Sequence, residues 1–132
     1  MDNAAAPRLR VLVVDDNRDV ANVLAHLLEC WGYEPLLAHD GPSALAVAAA
    51  AAPLAAALLD LALPGMSGYE LARRLRGQPG LERCLLVALT GYGGEQVVQH
   101  CYEAGIDLHV IKSSVPADLH KILDGRLSGP RP

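Results

Sequence analysis

Four short apolar runs in this chain each end in a residue that can do chemistry. The run at 11–14 leads into Asp15 and Asp16, the run at 54–59 into Asp60, the run at 84–89 into Thr90, and the run at 108–111 into Lys112. Segments this short and apolar on both faces are what a parallel strand needs when helices cover both sides of its sheet. Between them lie helix-length stretches. Val20, Val23, Leu24, Leu27, Leu28 and Trp31 recur at spacings of three and four, the stripe of an amphipathic helix, and Gly32 stops it.

The remaining segments complete the alternation. Residues 34–38 read as a second strand, but Pro35 has no amide to donate, which sends that strand to a sheet edge or makes Pro35 part of a strand start. Pro42 suits a first helical turn, residues 43–52 are an alanine-rich helix, and Pro53 ends it. Ser67 with Glu70 three residues on marks the start of a helix over 68–76, and 77–80 is a turn. A loop at 91–94 precedes a helix over 95–104, stopped by Gly105, and Pro116 opens a last helix carrying Leu119, Ile122 and Leu123.

Strands alternating with helices predict an α/β fold: a flavodoxin-like doubly wound (βα)5 three-layer sandwich with a parallel sheet in the order 2-1-3-4-5. That order puts the Pro35 strand at an edge. The chain divides into a flexible lead at 1–8, one domain at 9–124, and a flexible tail or linker at 125–132. A length of 132 residues suits one domain, and 52% apolar residues suffice for a packed core, which must be aliphatic because Phe is absent.

Charge and cysteine content exclude several classes. A net charge of −4 speaks against a nucleic-acid surface, which needs clustered Lys and Arg. Arg73, Arg74 and Arg76 lie close together but read as a solvated helix face. Cys30, Cys84 and Cys101 show no paired spacing, so reduced thiols are expected rather than disulfides or zinc. The first residues hold no apolar signal segment and no run nears the ~18 residues that cross a bilayer. The expectation is a cytoplasmic domain with no direct nucleic-acid partner and no membrane partner.

Asp15, Asp16, Asp60, Thr90 and Lys112 all fall at carboxyl ends of strands. In an open parallel sheet those ends line one crevice, where ligands bind at the switch in strand order. Three carboxylates brought together repel one another. A hard divalent cation relieves this, and magnesium favours one or two carboxylates with water and a substrate phosphate. A carboxylate beside such an ion can attack phosphorus, with an ammonium and a hydroxyl to stabilise phosphoryl oxygens.

These motifs resemble the receiver domain of response regulators and hybrid sensor kinases over roughly 10–123. The resemblance rests on Val-Leu-Val-Val before Asp15-Asp16-Asn17, on Leu-Leu before Asp60 with Pro64 and Gly68 after it, on Ala-Leu before Thr90, and on Ile111-Lys112. It implies that Asp60 accepts a phosphoryl group from a kinase or phosphotransfer phosphohistidine. It implies Mg2+ held by Asp16, Asp60 and the backbone carbonyl of Ala62, with Asp15 acting through water. Thr90 and Lys112 would meet the phosphoryl group. Thr90 would then shift the surface of the fourth helix, fifth strand and fifth helix, which a downstream protein target or a weak homodimer could read.

Three positions depart from the family pattern or invite a role. Ser113 stands where the family carries Pro after the lysine; a cis bond before a non-proline costs about 3–4 kcal/mol, so a trans Lys112–Ser113 bond is expected. His109 occupies the position of the family's switch aromatic, against a plain reading as a half-exposed strand histidine. Tyr92, near Thr90, either shields the phosphoryl group or rests on the surface. Other histidines, His26, His39, His100 and His120, show no ligand spacing.

Competing functions stay in view. A phosphatase with an aspartyl nucleophile, of the haloacid-dehalogenase kind, wants a second acid two residues on, where this chain has Ala62. A dinucleotide-binding domain wants GxGxxG after the first strand, which is missing. The remaining alternative is a receiver-like protein-interaction module that is never phosphorylated. No output domain is recognisable, so a stand-alone receiver and a piece of a hybrid kinase remain equally open.

Overall fold

The computed structural model describes residues 8–91 and 93–127. Its elements run β1 (Arg10–Val14), α1 (Arg18–Cys30), β2 (Glu34–Ala38), α2 (Gly41–Ala51), β3 (Ala56–Asp60), α3 (Gly68–Arg76), β4 (Leu85–Thr90), α4 (Glu95–Glu103), β5 (Leu108–Ile111) and α5 (Ala117–Leu127), with a 3-10 turn at Lys112–Ser114. All strand pairs are parallel and the order is β2-β1-β3-β4-β5, as the alternation of segments predicts. Pro35 lies on edge strand β2, aligned with Val11.

Successive strand residues feed two separate cores. Leu12, Val14, Ala57, Leu59, Leu86 and Ala88 pack with Ala44 and Ala48 of α2, Leu71 and Leu75 of α3 and Cys101 of α4. Val11, Val13, Leu58, Val87 and Leu89 face the other way, onto Leu24 and Leu28 of α1 and Leu119 and Leu123 of α5. Each leucine shut away like these contributes about 1.5–3 kcal/mol relative to exposure. The sheet is therefore held from both sides and its strand ends are rigid supports.

Local rules explain the helix starts. Asn17 caps α1, its side chain accepting from the amides of Asp19 and Val20. The cap is thus the residue after Asp15 and Asp16, which leaves both carboxylates free of that duty. Asp40 caps α2 through Ser43, so that helix begins at Gly41, ahead of the expected Ser43. Ser67 caps α3 as its sequence predicts.

Two expectations need correction. α5 continues through Gly125 and Arg126 to a buried Leu127, so a flexible tail does not begin at 125: the apolar Leu127 extends the stripe of Leu119 and Leu123 into the core. Residues 128–132 of that expected tail, and 1–7 of the lead, lie outside the described residues. The second concerns Arg76. Arg73 and Arg74 are solvated and pair with Glu70, but Arg76 folds inward. Its guanidinium donates to the carbonyls of Leu81, Glu82, Cys84 and Gly105 and to the Asp107 carboxylate, joining α3 to the start of β4 and the α4–β5 connection.

All three cysteines are free: Cys30 is exposed, Cys84 and Cys101 are buried. Burial pushes the Cys84 thiol up to about 12, so it stays protonated. No helix among the described residues is long and apolar enough to cross a membrane.

Candidate functional site

Register builds the site. Val14 of β1 is aligned with Leu59 of β3, so the next residues, Asp15 and Asp60, leave the sheet side by side. Carboxylate oxygens of Asp15, Asp16 and Asp60 all lie within 4.8 Å of one another. Asp15 and Asp60 are buried and Asp16 is exposed. Thr90 ends β4 and is also buried; Lys112 directly follows β5.

Lys112 closes the group. Its Nζ stands 3.5 Å from Asp15 Oδ2 and 3.5 Å from Asp60 Oδ2. The Lys112–Ser113 bond is trans, as expected without proline; among the described residues the cis bonds are Ala52–Pro53 and Val115–Pro116. Ser113 lies in the 3-10 turn, and the lysine still reaches the acids.

Backbone amides hold the other oxygens. Asp15 Oδ1 accepts from the Asn17 amide at 2.9 Å, and Asp60 Oδ1 from the Ala62 amide at 3.0 Å. The Asp15 carboxyl is nonetheless raised above its usual range, first because it is buried and also because Asp60 is near; the Asn17 amide and Lys112 pull the other way. Burial outweighs them because desolvation penalises the charged form outright.

The donor set is hard oxygen with no thiolate or imidazole, which suits Mg2+, Ca2+ or Mn2+ rather than zinc. Two buried carboxylates with one compensating ammonium leave negative charge that a divalent cation would neutralise. The residues fit magnesium.

Of the remaining expected residues, Ala62 is exposed with its amide on Asp60. His109 is half-buried on β5 and lies under the loop after β4, where a Cβ at Gly93 would sit 3.4 Å from its Nε2. Tyr92 lies outside the described residues. Sequence reasoning missed His39: its Nδ1 is 2.9 Å from the Asp15 carbonyl oxygen. A lone histidine after an edge strand carries no pattern that would single it out. Nor does local pattern show that Gly68, at the start of the helix over 68–76, lies against the Asp60 main chain.

A 2-1-3-4-5 sheet with three carboxylates and an ammonium gathered at its carboxyl rim is the architecture of the receiver domains of two-component signalling. The chain belongs to the family described as response regulator receiver domain, whose model matches residues 11–124. It is 38% identical to virulence sensor protein BvgS of Bordetella pertussis over 75% of this chain, and spans only 8% of that relative's length. Chemotaxis protein CheY4 of Vibrio cholerae superimposes with a TM-score of 0.86 at 29% identity, covering 91% of this chain and 99% of that one. The receiver domain of a sensor histidine kinase from Pseudomonas aeruginosa, which holds magnesium in its active-site cleft, gives 0.81 at 29% identity, over 92% and 99%.

Proposed function

We propose that this domain accepts a phosphoryl group on Asp60 from the phosphohistidine of a sensor kinase or histidine phosphotransfer domain, and that phosphorylation changes the α4–β5–α5 surface read by a downstream protein. The observation that carries this reading is the position of Lys112, 3.5 Å from Asp60 with Asp15 equally near, over carboxylates from two adjacent strands.

Asp16 and Asp60, with the Ala62 carbonyl, are the residues that would hold Mg2+, and Asp15 would act through water. Bound there, the ion supplies positive charge against which the carboxylates and the phosphoryl oxygens can meet. An Asp60 carboxylate oxygen attacks phosphorus in line as the bond to the donor imidazole nitrogen breaks, and the electron pair returns to the imidazole. The Ala62 amide orients the Asp60 carboxylate. Lys112 is placed to pair with the transferred group, and Thr90, at the end of the neighbouring strand, to donate a hydrogen bond to it. His109, beneath the loop that follows Thr90, is placed to feel that loop move.

The donor needs a surface beside the acids. An apolar groove of about 360 Å³, lined by Val20, Val23, Leu24, Leu89 and Val115, lies beside Lys112 and supports docking there. A kinase donor also implies the cytoplasm. The domain assists its own phosphorylation and dephosphorylation as a switch and not as a turnover enzyme.

Incubation with acetyl phosphate and Mg2+, followed by intact mass spectrometry, tests the reading. One added phosphoryl group is expected on the native chain and none on Asp60→Ala. Equal behaviour of the two defeats it, and an adduct on neither leaves a non-phosphorylated interaction module in its place.

A further inference from the structure

We infer that His39 is a positioning residue for the metal site: its side chain replaces a missing sheet donor and holds the peptide that aims Asp16 and Asp15. This rests on the proposed magnesium-dependent reading.

The argument starts from the ladder between β1 and β2. The pairing ends at Val14 and Ala38, and the Asp15 amide extends it one step, donating to the Ala38 carbonyl at 3.2 Å. In a continued parallel ladder the Asp15 carbonyl would next receive the amide of Asp40. The chain turns away there instead, because Asp40 is the cap of α2. His39 Nδ1 stands in that donor's place, 2.9 Å from the Asp15 carbonyl oxygen. A carbonyl only accepts, so Nδ1 carries the hydrogen.

That carbonyl belongs to the planar peptide joining Asp15 to Asp16. Turning the plane would swing both acids. Asp15 is pinned at its carboxylate by the Asn17 amide and Lys112. Asp16 is exposed, so packing does not aim its carboxylate; the main chain on which it sits does. His39 thereby clamps the one peptide on which the geometry of both acids, the ligand Asp16 and the water-linked Asp15, depends. Outer partners of this kind commonly carry about 10- to 100-fold in metal affinity or activity when removed.

The substitution that separates positioning from plain stability is Asn. Its side-chain nitrogen is the same number of bonds from Cβ as histidine Nδ1, so His39→Asn keeps a donor where His39→Ala has none. Mn2+ binding to the whole chain, followed by electron paramagnetic resonance well below the unfolding temperature, is the measurement, with unfolding in chelator run alongside. His39→Ala is expected to weaken Mn2+ by about tenfold, the low end for such partners, and His39→Asn to recover most of the loss. Native-like affinity in His39→Ala, with only its metal-free stability lowered, overturns the inference. Equal losses in Ala and Asn overturn it too. A native chain that binds no Mn2+ overturns the functional reading itself, and this clamp with it.

Discussion

Gly68 presses its α-carbon against the main chain of Asp60: a Cβ there would lie 2.6 Å from the Asp60 carbonyl oxygen and 2.8 Å from Leu61 Cα. Both obstacles are backbone, so neither can turn aside as a flexible side chain would. The Gly68 amide also donates to the Leu61 carbonyl at 3.2 Å, tying the start of α3 to the residue after the proposed phosphoacceptor. The first turn of α3 and the Asp60 carboxylate are thus one mechanical unit.

Gly68→Ala is therefore expected to cost about 1–3 kcal/mol, as overpacking does, and to weaken Mn2+ binding by moving Asp60. The contrast is Gly125→Ala in α5, where nothing lies within 4 Å of a new Cβ. Alanine there should stabilise by up to ~1 kcal/mol through helix propensity. Urea denaturation of both variants checks the pair; a harmless Gly68→Ala defeats the close-contact argument.

The raised Asp15 carboxyl gives a pH signature in chelator. Its charged form is disfavoured in the fold, so above the folded pKa this group detracts from stability. As pH falls through that raised value toward the ordinary 3.8, the native state binds the proton first and this cost is relieved. Asp40 and Glu70 are shifted down and act with the opposite sign, so the difference between native chain and Asp15→Asn is the quantity to follow. Without metal near neutral pH, Asp15→Asn should unfold at a higher temperature, and the gap should close on acidification. A less stable Asp15→Asn at neutral pH would contradict the burial argument.

Lys112 and a divalent ion compete for the same carboxylates. Removing the ammonium in Lys112→Met should lower metal-free stability and tighten Mn2+ by about tenfold, a modest Coulomb effect once solvent screening is allowed for. Calorimetric titration with Mn2+ reads it. Weaker binding would show that Lys112 organises the acids rather than competing for them.

Arg76 should dominate its helix. Arg76→Ala abandons four carbonyls and the Asp107 carboxylate, which also accepts from the Leu86 amide, and is expected to cost about 3 kcal/mol. Arg73→Ala loses a solvated ion pair and should change stability by less than about 0.5 kcal/mol. Lysine cannot substitute at 76, because one ammonium does not span acceptors that a planar fork reaches together. Denaturation midpoints at unchanged slope provide the check.

Much of this is legible in the sequence, and the reason is range. Apolar runs, helix stripes and caps act over about four residues, so the strand ends bearing Asp15, Asp60, Thr90 and Lys112 could be placed from local pattern. What escaped was long-range or directional. Arg76 sits among residues of one sign that pattern alone assigns to solvent, and its acceptors lie up to 31 positions away. Leu127 looked like the edge of a tail because Gly125 precedes it, yet its apolar side chain found the core.

Local pattern carries the alternation of elements, the edge position of the Pro35 strand and the acids, hydroxyl and ammonium at the strand ends. The fold in three dimensions brings Lys112 to Asp15 across 97 positions, gives His39 a ladder acceptor 24 positions away, and requires Gly68 to lack a side chain where it lies against Asp60. Register and the direction of each side chain set those contacts, and neither is written within the few residues over which a local pattern acts.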